Sequence, residues 1–140
     1  MRQDLAVTVD AVIFLEENNA LYLLVIKRKN QPFQGHWALP GGFLEEDELL
    51  QTGCLRELEE ETGLQLQQLE KVGIYDAINR DPRGRTLSVA FTAKLQERKQ
   101  ICANDDADEA KWILLKDIEE MAFDHHQIIQ DAIKKLQIAL

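Results

Sequence analysis

Residues 41–64 gather eight carboxylates around one arginine, with a glycine near each end. Such crowding is unfavourable unless a positive charge sits among the acids, and that restricts what the segment can become. Residues 47–62 have helical length and composition, and Gly63 follows where a C-terminal glycine cap is expected. On this helix Glu57, Glu60 and Glu61 stand three and four positions apart and share one face. Like charges at those spacings repel, and a divalent cation would reverse the sign of that effect. Mg²⁺ prefers hard oxygen ligands and keeps several waters, so it suits a few carboxylates together with the phosphates of a substrate. Leu55 and Leu58 fall on a neighbouring face and are expected to pack on a sheet. Arg56 lies one turn before Glu60, where an ion pair would fix a carboxylate. A solvated acidic helix is the plainer alternative, and the run of acids alone does not exclude it.

The rest of the chain alternates strands and helices. Residues 5–17 are β-branched and apolar, as in a well-buried strand, and residues 21–29 read as its hairpin partner across an Asn18-Asn19 turn. Residues 36–43 form a short strand broken at Pro40-Gly41-Gly42. Residues 64–78 and 86–95 read as two further strands across a polar turn, and residues 110–115 as one more. From residue 116 onward the pattern is helical. Its core-facing stripe is Ile128, Ile129, Ala132, Ile133, Leu136 and Ile138. The expected fold class is α/β, a mixed sheet between helices, with residues 1–140 as one domain.

Composition narrows the function classes. The chain has 140 residues, 45% of them hydrophobic, enough for a core without disulfides. No apolar run reaches bilayer length and the N-terminus lacks a secretion-signal plan, so a cytoplasmic protein with reduced cysteines is expected. The net charge of −9 argues against a grip on long nucleic acid. It leaves room for a small anionic ligand recruited by bound cations.

The spacing decides between a solvated helix and a metal site. Gly42, five residues, Glu48, seven residues, then Arg56-Glu57-Leu58, Glu60-Glu61 and Gly63-Leu64 match the pattern G-x5-E-x7-R-E-U-x-E-E-x-G-U at every specified position. By average residue frequencies a chance match in such a chain is rarer than roughly one in a million. The chain therefore resembles the Nudix hydrolases, and its strand plan resembles their α/β/α sandwich from end to end.

The resemblance implies hydrolysis of a nucleoside diphosphate linked to another group, with Mg²⁺ or Mn²⁺ as cofactor. It implies Glu57, Glu60 and Glu61 as metal carboxylates, the Gly42 carbonyl as an extra ligand, and Glu48 and Arg56 as bracing residues. Where the family often has alanines, this chain has Thr52, Gly53 and Cys54; close packing at Gly53 and core filling by Cys54 are expected. Residues 33–48 and 80–91 resemble ADP-ribose pyrophosphatases of bacteria and archaea. That resemblance points to ADP-ribose, split into AMP and ribose 5-phosphate. Arg80, Arg83 and Arg85 in one loop, and Arg28 at the end of the second strand, are candidate phosphate or base contacts. Trp37 is a candidate for stacking, with core filling as the alternative. The family often supplies a further acid from the loop before a late strand. Asp105, Asp106, Asp108 and Glu109 are available there, with Asp106 favoured. His125 and His126 are expected to be capping or surface residues. The alternatives are a sanitising enzyme for oxidised nucleoside triphosphates, and a non-catalytic sensor of an ADP-ribose-type ligand. Related ADP-ribose hydrolases are often dimers, so a homodimer is a possible assembly.

Overall fold

The computed structural model describes residues 2–103 and 107–140, without the side chain of Asp108. Among these residues seven strands form one mixed sheet. In chain order they are β1 (Ala6–Glu17), β2 (Ala20–Arg28), β3 (Trp37–Ala38), β4 (Gly41–Phe43), β5 (Glu70–Tyr75), β6 (Thr86–Leu95) and β7 (Ala107–Leu114). Helix α1 (Leu50–Thr62) lies between β4 and β5, and α2 (His125–Lys135) follows β7.

β1 is buried on both faces, and the period of two in a strand sorts its side chains. Val9, Ala11 and Ile13 join Cys54, Leu58, Leu64 and Phe91 in a core under α1. Val12 and Phe14 join Leu23, Val25, Ile128, Ile129, Ala132 and Ile133 in a second core under α2. The sheet therefore lies between two helical layers, and the expected α/β/α sandwich is what the chain forms. Asp10 belongs to the α2-facing series of β1 and is buried there.

The pairing of β1 creates the place where a site can form. β1 runs antiparallel to β2 near the hairpin, Phe14 opposite Leu23 and Glu17 opposite Ala20. Closer to its start it pairs instead with β4, Thr8 opposite Phe43 and Asp10 opposite Gly41. β2 meanwhile pairs with β3 through Ile26 and Lys27, and with β7 on its other edge. β1 and β2 thus separate, and the segment from β3 to β4 occupies the split. Along its other edge β1 pairs in parallel with β6 over Ala6–Leu15.

Four elements differ from expectation, among them β7, which begins at Ala107 rather than at residue 110. α1 begins at Leu50 rather than at residue 47, because Glu48 turns its carboxylate back to accept the Glu45 N–H at 2.9 Å. β5 covers only Glu70–Tyr75. The last α-helix starts at His125, not at residue 116. The preceding stretch holds a short 3₁₀ turn at Leu115–Asp117, a bridge from Met121 to Trp37, and Phe123 in the left-handed region at φ 52°. A left-handed phenylalanine ends any continuous helix. No helix among the described residues is long and apolar enough to cross a membrane.

Candidate active site

α1 anchors one side and displays the other. Leu58 and Cys54 are fully buried against the sheet, and Leu55 packs beside them. Burial pushes the Cys54 thiol well up, reinforced by Asp10 and Glu57, so it is core filler rather than a nucleophile. Gly53 sits where a side-chain carbon would come within 2.7 Å of Glu48 Oε1 and 2.8 Å of Leu44 Cδ1, so the glycine admits close packing.

Arg56 organises the acids. Its Nε and one terminal nitrogen form a fork on Glu48 at 2.9 and 2.6 Å. Its other terminal nitrogen donates to Glu57 at 2.8 Å and to Glu60 at 3.1 Å, while the terminal nitrogen on Glu48 also reaches the Phe43 carbonyl at 3.2 Å. The bonds from Arg56, helped by the Glu45 N–H, hold the Glu48 carboxyl down to about 2. One guanidinium thus offsets three carboxylates that would otherwise repel one another.

Gly41 and Gly42, at the start of the G-x5-E-x7-R-E-U-x-E-E-x-G-U pattern (the box), complete this wall. Gly41 N–H donates to Glu61 Oε1 at 2.7 Å, and Glu61 is only 5% exposed. A side-chain carbon on Gly42 would lie 2.5 to 2.8 Å from the Glu57 carboxylate, and one on Gly41 would overlap the Val9 carbonyl. Backbone and carboxylates therefore meet at a distance that only glycine permits. Glu60 is the most open of the three box acids, 43% exposed at its side chain.

Glu57 and Glu61 face a cavity of about 300 Å³ lined by Gly41, Gly42 and Phe43 beside them, with Arg28 and Arg83 also in its lining. An adjoining recess of about 40 Å³ shares Arg28, Arg83, Gly41 and Gly42 and adds Asp10, Leu39, Arg80, Phe123 and His125. Arg83 lies over the rings of Phe43 and Phe123, at 4.9 and 5.6 Å, and is ion-paired with Asp81 at 2.8 Å. Arg28 lies 5.0 Å from the Phe123 ring and donates to the Pro32 carbonyl at 2.7 Å. Stacking on aromatic faces fixes both guanidinium planes while leaving them charged.

The other expected contacts are placed differently. Arg80 lines the recess, but its fork is taken by Asp124 at 2.9 and 2.6 Å, which makes it a brace between the arginine loop and the start of α2. Arg85 donates to the Asp76 carbonyl at 2.7 Å and lines a separate outer depression with Arg83. Trp37 lines neither the cavity nor the recess. It packs on the core beneath α2, with Lys111 Nζ 4.7 Å from its ring. Glu109 is exposed and 3.9 Å from Lys27 Nζ. Asp105 and Asp106 lie outside the described residues. His126 is exposed, as expected, whereas His125 is buried and belongs to the recess.

The sequence reading missed Asp10, Phe43, Phe123 and His125. Asp10 alone carried a signal, as a charged residue within a run that is otherwise apolar or β-branched.

The site has hard oxygen donors: the Glu57 and Glu61 carboxylates, with Glu60 at the rim and glycine backbone drawn against them. Among the described residues no three acid, histidine or cysteine side chains already converge as a metal cluster. The set fits a cation that keeps several waters and shares its remaining positions with phosphate oxygens.

Comparison with known proteins places this geometry. A family model for the NUDIX domain matches residues 4–133. An ADP-ribose pyrophosphatase of Methanocaldococcus jannaschii is 43% identical over 126 residues, spanning 90% of this chain and 72% of that protein. An ADPR responsive transcriptional repressor of Acinetobacter baylyi is 35% identical over 133 residues, 92% of this chain and 53% of the repressor. The NUDIX domain of Shewanella oneidensis NrtR, solved with ADP ribose, superposes with a TM-score of 0.91 at 34% identity, covering 96% of this chain and 90% of that one.

Proposed function

We infer that this chain, which belongs to the NUDIX family, hydrolyses ADP-ribose to AMP and ribose 5-phosphate with Mg²⁺ or Mn²⁺. The observation that carries this reading is one cavity lined both by Glu57, Glu61 and Gly42 and by Arg28 and Arg83. A diphosphate needs both kinds of group. Its anionic oxygens are shared between a cation held by the acids and the guanidiniums. The choice of ADP-ribose is supported by the 43% identity to an enzyme of that activity.

Glu57, Glu61 and the Gly42 carbonyl would hold the cation, with Glu60 joining from the rim. Such a cation, when bound, neutralises the diphosphate and lowers the pKa of a bound water. The chain's own residues do the rest. Arg56 keeps Glu57 and Glu60 aimed while Glu48 holds Arg56. Gly41 N–H keeps Glu61 in place. Arg28 and Arg83 bind and orient the phosphates. Water is the nucleophile, because the buried Cys54 thiol is held protonated. Its oxygen attacks one phosphorus and the bridging P–O bond breaks. AMP and ribose 5-phosphate then carry away the two phosphates.

Turnover of the purified protein on ADP-ribose, an oxidised nucleoside triphosphate and a dinucleoside tetraphosphate tests the proposal. ADP-ribose should be cleaved with the highest kcat/KM, and ¹⁸O from labelled water should appear on a phosphate of one product. A preference for the triphosphate with release of pyrophosphate would overturn the substrate assignment.

A ligand sensor is the second reading, favoured by the close superposition on an ADP ribose-bound NrtR domain. Tight ADP-ribose binding without cleavage in Mn²⁺ would establish it.

Arg83→Ala should raise KM for ADP-ribose about tenfold and change kcat by less than about threefold. A contact made equally in ground and transition states affects KM alone. Arg83 is partly open to solvent and ion-paired, so one charge-assisted contact of about 1.5 kcal/mol is the expected loss. Steady-state kinetics of the variant check this. An unchanged KM would return Arg83 to a surface role.

A further inference from the structure

His125 opens α2 from the far side of the segment that carries the box glycines, and both its ring nitrogens are engaged. Nδ1 accepts the Leu39 N–H at 3.0 Å. The ring hydrogen is therefore on Nε2, which lies 3.5 Å from Asp10 Oδ1. The other Asp10 oxygen accepts the Ser88 O–H from β6, and the Ser88 oxygen is 2.7 Å from the Thr8 hydroxyl. Each polar group in this buried set has a partner, and no buried side-chain nitrogen or oxygen among the described residues lacks one. Burial depresses the His125 pKa despite the opposing pull of Asp10 and Asp124, so the ring is neutral and Nδ1 stays an acceptor.

What this set holds is the turn of residues 39–42. His125 takes the Leu39 amide, and the Ala11 N–H donates to the Pro40 carbonyl at 2.8 Å. The Gly41 amide donates to Glu61, and Gly42 packs on the Glu57 carboxylate. The turn is thus tied at one end to α2 and at the other to the two innermost acids of α1. Asp124, one residue earlier, holds Arg80 and the arginine loop instead. Two adjacent residues at the start of α2 serve the two walls of the cavity separately.

We propose that His125 is a positioning residue for the cation site: by holding the Leu39 amide it sets where Gly41 and Gly42 meet Glu61 and Glu57. The inference rests on reading the box as a cation site and not on the choice of ADP-ribose. The probe is therefore Mn²⁺ alone, titrated into the full chain and followed by the electron paramagnetic resonance of the free ion. Melting curves first establish that each variant folds.

His125→Leu keeps the bulk and removes the acceptor, and should raise the Mn²⁺ dissociation constant roughly tenfold, the lower end of the loss seen when groups that orient ligands are removed. His125→Asn offers Oδ1 to the Leu39 amide and should stay within about threefold of wild type. Asp124→Asn disturbs the same helical turn without touching Leu39 and should leave the constant unchanged. An unchanged constant in His125→Leu overturns the proposal. So does an equal loss in Asp124→Asn, which would mean a general loosening of α2. One measurement needs no variant: the ¹⁵N resonance of His125 Nδ1 in the wild-type protein should shift when Mg²⁺ is added, and a resonance that does not move also overturns it. Wild-type protein that binds no Mn²⁺ removes the cation site and this inference with it, whatever its activity on ADP-ribose.

Discussion

Glu57→Gln and Glu61→Gln should each leave a folded protein that has lost about 10³-fold in kcat, if the box works as proposed. Glutamine keeps the length of the side chain and one acceptor oxygen, so the Gly41 N–H bond to position 61 and the packing of Gly42 on position 57 survive. What disappears is one negative charge from the donor set. A divalent cation contributes several kcal/mol to phosphoryl transfer. At about 1.4 kcal/mol per decade, losing most of that contribution corresponds to roughly three decades. Glu60→Gln should cost less, because that side chain is 43% exposed and does not line the cavity. Without metal, Glu61→Gln should melt no lower than wild type, since it relieves repulsion among acids on one helix face and keeps the Gly41 bond. Chelator should abolish wild-type turnover, and added Mg²⁺ should restore it. Full activity of both inner variants, or of the wild type in chelator, would dismiss the metal site.

Arg56→Met should lower stability by about 2–3 kcal/mol and activity with it. The side chain of Glu48 is 9% exposed and depends on the Arg56 fork. Orphaning a buried charge costs about 3–5 kcal/mol, and the partial exposure of Arg56 to solvent reduces that figure. Methionine keeps much of the stem, so packing is largely preserved. The pH dependence identifies the cause. The Glu48 carboxyl is lowered in the folded chain from 4.5 to about 2. A carboxyl depressed by folding contributes stability that is present above about 4.5 and lost as pH falls towards 2. Wild-type stability should decline across that window, and Arg56→Met should decline less. Urea midpoints measured above and within the window test this. Parallel declines in the two proteins would mean that Arg56 does not hold Glu48. Arg56→Lys should not rescue, because an ammonium cannot reproduce the fork on Glu48 while also reaching Glu57 and Glu60.

The box was legible because its chemistry is local. Glu57, Glu60 and Glu61 share a helix face by spacing alone, and Gly63 ends the helix in the left-handed region at φ 75°, as a C-terminal cap requires. β6 was read to its residue limits because Thr86, Val89, Phe91 and Thr92 favour a strand and a polar turn precedes them. What failed turned in one case on a local side-chain contact and in the others on partners distant in sequence. Glu48 suits a helix by propensity, but Glu45 and Arg56 draw it out of α1. Residues 119–124 have helical composition, yet Met121 pairs with Trp37 and Arg80 claims Asp124. Both arrangements join segments more than forty residues apart. His125 looked like a surface residue because a histidine before an amphipathic helix gives no sign that a backbone amide from the other end of the fold will dock on it. Arg80 and Arg83 stand in the same loop and look alike in sequence. Only Asp124 distinguishes a brace from a residue facing the cavity.

The parallel ladder between β1 and β6 has a kinetic consequence. Its partners, Ala6 with Thr86 through Leu15 with Leu95, are separated by 80 residues of chain. Closing so long a loop loses entropy before any contact is gained, and folds dominated by distant pairings form slowly. The hairpin of β1 and β2 and the helix α1 can form early from neighbouring residues. The order of events then places the hydroxyl of Ser88 against Asp10 late, after most of the box already has its local shape. A ribosome that has released only the first half of this chain therefore exposes Val9, Ala11 and Ile13 without their β6 partners. The acids of α1, crowded and not yet held by the finished sheet, would help to keep that exposed strand soluble through their charge.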